Sequence, residues 1–156
     1  MADDIGFSAY PVESVYRGKP KTPDFAARDK AFSLFKTLIL AGMKGGSTFA
    51  GEYSVIQFGC GASCTTVVVA NNRTGELFDF PRGGETNQGL EVKFDLKSKL
   101  MLARWYTDTS WEGCIFESLL FQNGEWIAKT AVASGTAGPS GGCDGDILER
   151  VKKKMQ

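Results

Sequence analysis

Four cysteines, eighteen acidic side chains and a complete lack of histidine set the chemistry open to this 156-residue chain. Without imidazole there is no Ser-His-Asp or Cys-His nucleophilic pair, and the usual nitrogen ligands of zinc and copper are missing. The cysteines, Cys60, Cys64, Cys114 and Cys143, are even in number, and a chain this small gains more from cross-links than from four buried thiols. Three pairings are possible. Cys60–Cys64 with Cys114–Cys143 is favoured, because the first two share one short loop. In the loop-entropy picture the short bridge contributes about 2 kcal/mol and the long one about 3.5 kcal/mol. Disulfides imply an oxidising compartment, so a periplasmic or secreted setting is expected.

Thiol redox work competes with the structural reading of Cys60-Gly61-Ala62-Ser63-Cys64. A redox pair usually has two intervening residues at a helix N-terminus, where the dipole lowers the thiol pKa. Three residues between two strand-like runs suit a structural bridge better. A soft-metal site would call for an added imidazole or thioether, so neither metal nor cofactor is expected. Paired carboxylates can hydrolyse cell-wall glycans without histidine, and Glu85 and Glu112, both in expected loops, are the candidates. Most exposed acids are merely solvated, which favours the non-catalytic reading. Ser33-Leu34-Phe35-Lys36 has the S-x-x-K spacing of penicillin-interacting enzymes, but it falls in mid-helix and lacks companion motifs, so it reads as coincidence. Asp144-Gly145-Asp146 lacks the further oxygens of a calcium loop and reads as a helix cap. Asn72-Arg73-Thr74 is a glycosylation acceptor only in a eukaryotic secretory pathway.

Recognition chemistry is better represented. Trp111 and Glu112 lie in a loop beside Trp105-Tyr106, and aromatic residues with a charged neighbour are frequent interface anchors. The loop Arg82-Gly83-Gly84-Glu85 is a second candidate polar patch. Eighteen basic and eighteen acidic residues cancel, which removes the broad positive field that nucleic acid or an anionic membrane would attract. No apolar run reaches the length of a membrane span. A protein partner is therefore expected, without nucleic acid. The basic run Lys152, Lys153 and Lys154 suits the end of a terminal helix.

The elements that must position these residues form one domain over 1–156. With 42% hydrophobic and 12% aromatic residues, one packed core is ample. Residues 1–22 read as an extended arm packing through Tyr10, Val12, Val15 and Tyr16. Thr22-Pro23-Asp24 opens a helix over 23–44, with Phe25, Phe32, Phe35, Leu38, Ile39 and Met43 as its apolar stripe. Seven strands are predicted between 50 and 133, at 53–59, 64–70, 75–80, 91–97, 100–106, 114–122 and 125–132. Asn71 to Gly75, Lys97 to Lys99 and Asn123-Gly124 are the turns that make them an antiparallel meander. The run Thr65 to Ala70 is apolar on both faces and should lie centrally, with the helix on one side. Residues 134–156 read as a glycine-rich loop and a short terminal helix capped by Asp146. The class is α+β, stapled by disulfides.

Phe49-Ala50-Gly51-Glu52-Tyr53, followed by Gly59-Cys60-Gly61 and Cys64, resembles a signature of small exported bacterial proteins of unknown function. The resemblance covers about residues 45–130 and implies export, in agreement with the cysteines. It transfers no catalytic residue. The function expected from all this is an exported, non-catalytic binding module of the inhibitor or immunity kind, the alternative being a carboxylate-dependent wall hydrolase or a thiol-disulfide protein.

Overall fold

The computed structural model describes residues 6–108, 111–135 and 142–155, with side chains through Lys152. Most of the glycine-rich stretch and the side chains of Lys153 and Lys154 lie outside the described residues. Seven antiparallel strands form two meanders. The first runs β1 (Tyr53–Gly61), β2 (Cys64–Asn71) and β3 (Leu77–Asp79) in that order, and the second runs β4 (Gln88–Phe94), β5 (Leu100–Tyr106), β6 (Gly113–Gln122) and β7 (Glu125–Gly135). The expected single meander is thus two sheets. The break falls at 80–87, where Pro81 and the positive φ of Gly83 and Gly84 carry the chain from one layer to the other.

The two sheets face each other. Val67 and Val69 of β2 meet Met101 and Ala103 of β5 and Leu119 and Phe121 of β6, with Phe49 at the centre. Val68 and Ala70, on the opposite face of β2, are covered by Ile39 and Met43 of α1 (Lys36–Met43). On the far side of the second sheet, Leu100, Leu102 and Phe116 pack against Ile147 and Val151 of α2 (Ile147–Met155) and the Cys114–Cys143 pair. The layer order is α1, three strands, four strands, α2. This explains why β2 is apolar on both faces, while β4 alternates exposed Glu91 and Lys93 with half-buried Val92 and Phe94.

Turn chemistry fixes the registers. Asn123 and Gly124 have φ of 55° and 78°, the pair of left-handed residues that a two-residue hairpin needs. Asn71 closes the β2–β3 turn by accepting hydrogen bonds from the amides of Arg73 and Thr74. Asp146 caps α2 by accepting from the Leu148 amide at 3.0 Å.

The main helix departs from its expected bounds. Helical structure begins at Lys30, first as a 3₁₀ segment over Lys30–Phe35 and then as α1, whereas 25–29 form turns. The cause is Asp29, 1% exposed, whose carboxylate accepts from the Asp24 amide at 2.8 Å and the Leu77 amide at 3.0 Å. Those bonds hold 24–29 in a loop tied to β3 instead of a first helical turn. Leu38 also leaves the expected stripe and is exposed, while Ile39 and Met43 are buried.

The described part of the N-terminal arm straps the layers together. Tyr10 packs on the α2 side, the Val12 amide donates to the Lys97 carbonyl, the Tyr16 amide to Gly51, and the Lys21 amide to Asn72. The Phe49-Ala50-Gly51-Glu52-Tyr53 segment is the arm's anchor. Gly51 has φ +85°, and a Cβ there would meet the Ser14 carbonyl at 2.4 Å. Phe49 is fully buried and its ring lies parallel to Trp126, 6.0 Å away. Asn72 is also fully buried, its amide donating to Ser54 Oγ at 2.9 Å, which closes it to glycosylation.

Candidate functional site

Both disulfides form in the favoured pairing, with Cα separations of 5.0 Å for Cys60–Cys64 and 6.0 Å for Cys114–Cys143, and no cysteine is free. The short bridge closes the β1–β2 hairpin at one end of the sandwich, where Gly61 and Ser63 both have positive φ. That tip organises what lies beside it. The Ser63 carbonyl accepts from the Gly89 amide at 2.8 Å, and the Thr65 carbonyl accepts from the Gly84 amide at 3.0 Å. Gly83 is obligatory at this contact, since a Cβ would stand 2.6 Å from the Thr65 carbonyl.

The same end carries the aromatic loop. Tyr106 ends β5 opposite Cys114 and Gln88, and the Thr107 amide donates to the Gly113 carbonyl across the loop base. Trp111 is 40% exposed and adopts φ +62°. Its ring stands edge-on to Tyr106, centroids 4.3 Å apart, and covers Gly89, where a Cβ would come within 2.5 Å of the indole. Arg104 completes the stack. Its guanidinium lies 4.9 Å from the Tyr106 ring centre and donates to the Gly89 carbonyl at 3.1 Å, while Glu91 is 3.9 Å away. Gly89 sits at an irregularity in the β4–β5 ladder, which lets both side chains approach its backbone.

Loop 81–87 joins this end through the Thr65 carbonyl, but its two named residues part company. Arg82 turns inward and donates to both oxygens of buried Glu117, at 2.7 Å and 2.9 Å. Those bonds hold the Arg82 guanidinium above its ordinary pKa. The Trp105 indole donates to the same carboxylate. Glu85 is exposed, as is Glu112 in the neighbouring loop. Neither carboxylate lines the grooves of about 310, 190 and 200 Å³ that lie elsewhere on the surface.

Trp111 and Glu112 therefore share one loop with Tyr106 at its base on β5, Glu85 belongs to the adjacent loop, and Arg82 fastens that second loop to the sheet. Trp105, expected only as a neighbour of Tyr106, joins the construction through Glu117, and Gly89, Arg104 and Glu117 complete it without having been anticipated. A glycine inside a strand pattern is the signal that marks Gly89, because such a glycine commonly admits close approach of another group. Among the described residues no group of three or more cysteine or acidic side chains could hold a metal ion. The arrangement presents a rigid aromatic ridge beside exposed carboxylates, a surface suited to contact. No family model, curated protein or solved structure matches the chain.

Proposed function

We propose that this chain is an exported, non-catalytic binding module, a periplasmic or secreted protein of the inhibitor or immunity kind that engages a partner protein through the Trp111 loop. The carrying observation is Trp111 itself: a bulky residue held half-exposed at φ +62° by Tyr106 and Gly89. A left-handed conformation costs a non-glycine residue about 1–2 kcal/mol, and it persists only where the surroundings over-determine it. Locking the ring before binding removes that ordering cost from association. Tyr106 backs the ring, and Glu112 and Glu85 supply a polar rim, the usual anatomy of a recognition patch.

Two disulfides, together with the lack of any described helix long and apolar enough to cross a membrane, fit a non-cytoplasmic protein. The likeness of the Phe49–Tyr53 and Gly59–Cys64 segments to exported bacterial proteins supports the finer placement.

Affinity capture from a periplasmic or secreted fraction tests the reading, with wild type and Trp111→Ala immobilised side by side. A stoichiometric partner retained by the wild type and lost from a folded Trp111→Ala variant is the expected outcome. Equal retention by both proteins, or none by either, overturns the proposal.

A further inference from the structure

Overall neutrality conceals an uneven distribution of charge. Residues 16–46 carry seven basic side chains, all exposed, against the acids Asp24 and Asp29. Asp29 is buried and paired with Arg28 at 2.9 Å, so Asp24 is the one exposed acid of that stretch. These residues form the α1 layer and the arm beside it, on the outer face of the three-stranded sheet.

Two apolar side chains stand out from the same layer. Leu34 is 86% exposed and Leu38 49% exposed, one helical turn apart, while Ile39 and Met43 cover the sheet beneath. A single exposed leucine needs no explanation, but two together on a cationic face do. On the arm side of α1 runs a groove of about 310 Å³, with Pro20, Leu40 and Met43 as apolar wall and Lys19, Lys21 and Lys44 among its lining. Two protruding leucines on a lysine-rich layer suit a membrane interface, where apolar tips can enter and cations meet the headgroups.

We propose that the α1 layer docks on an anionic phospholipid bilayer, with Leu34 and Leu38 entering the headgroup region and the lysines of the groove meeting lipid phosphates. Charge complementarity selects the anionic surface. The leucines select lipid over nucleic acid, whose phosphates would leave them unused. They also favour it over an acidic protein, because they project into solvent and a deformable interface accepts such side chains without a matching pocket. This surface is distinct from the Trp111 end and leaves that loop free for its own partner.

Sedimentation of the full chain with vesicles tests the proposal. Vesicles containing phosphatidylglycerol should bind it, pure phosphatidylcholine vesicles should not, and about 0.5 M salt should release it. The Leu34→Ser/Leu38→Ser variant should bind about tenfold more weakly or worse. Lys19→Gln/Lys21→Gln/Lys44→Gln should lose at least about tenfold. Of the five positions only Leu38 lies within α1, and every one is exposed, so circular dichroism and thermal unfolding should match wild type and exclude misfolding as the cause. Trp111→Ala should bind vesicles like wild type, which separates failure here from failure of the partner-binding reading. Absence of phosphatidylglycerol binding, equal binding to phosphatidylcholine, indifference to the leucine substitutions, or binding confined to a soluble polyglutamate probe would each overturn it.

Discussion

Glu117 lies in the middle of β6 with 3% exposure, on the face where Leu119 and Phe121 meet the other sheet. A carboxylate there is tolerated because two Arg82 hydrogen bonds and the Trp105 indole replace the water it has lost. The partners are not equivalent. Arg82 is 27% exposed and can turn to solvent if released, whereas Glu117 cannot. Arg82→Met should therefore strand a buried charge and destabilise the fold by about 3–5 kcal/mol, and adding Glu117→Leu should recover most of that loss. Urea unfolding of the two variants checks this, and a single-variant loss under about 1 kcal/mol would mean that the pair is not held as drawn. The same residues mark the limit of reading a site from sequence. Trp111 and Tyr106 announce themselves as aromatics flanking a turn, but the commitment of Arg82 to Glu117 joins positions 35 residues apart, and nothing local pairs them. A lone acid in the run Ile115-Phe116-Glu117-Ser118-Leu119 demands a buried donor without saying which.

At the scale of elements, the strands were legible because their ends are chemical. Asn71 and Asn123-Gly124 stop strands by local hydrogen bonds and positive φ, which depend on few residues, whereas the reversal expected at Lys97–Lys99 begins at Asp95, whose carboxylate accepts from the Lys97 amide and ends β4 at Phe94. The helix start was not legible, because Asp29 overrides the capping signal at Thr22-Pro23-Asp24 through a bond to Leu77, which is distant in sequence. That override has a pH signature. Burial works against the Asp29 charge, but the hydrogen bonds from Arg28 and from the Leu77 and Asp24 amides outweigh it, leaving the carboxyl below its ordinary range. A depressed folded-state pKa gives stability that is fully present above the unfolded value of about 3.9 and is lost as pH falls through the folded value. Asp29→Asn should be less stable than wild type near neutrality by about 1–2 kcal/mol. The gap should narrow as the pH drops below about 4, where the wild-type carboxyl takes up its proton. Parallel denaturation curves across that range settle the point, and a gap that stays constant would assign the helix start to another group.

The whole molecule is four layers with unequal claims on one another. Its class and strand count follow from local patterning, but the division into two facing sheets depends on which apolar faces find each other. Only the double-sided burial of β2 hinted at that division. Ties between layers then decide stability. The arm runs from the α2 side past Lys97 and Gly51 to Asn72, and Cys114–Cys143 fastens the segment leading into α2 across 29 residues. Cys60–Cys64 spans four residues at a hairpin tip and restrains the unfolded chain far less. Replacing Cys114 and Cys143 with serine should cost about 3–4 kcal/mol, and replacing Cys60 and Cys64 about 2 kcal/mol or less. Hydrogen exchange should add a spatial distinction. Loss of the long bridge should expose the amides of α2, whose Ile147 and Val151 pack around it. Loss of the short bridge should leave α2 protected and loosen Gly84 and Gly89, whose amides depend on the Thr65 and Ser63 carbonyls. The short bridge would then govern how firmly the Trp111 end is presented, and the long one whether the fourth layer stays attached. Equal losses of stability with the same amides exposed in both variants would contradict that division of labour.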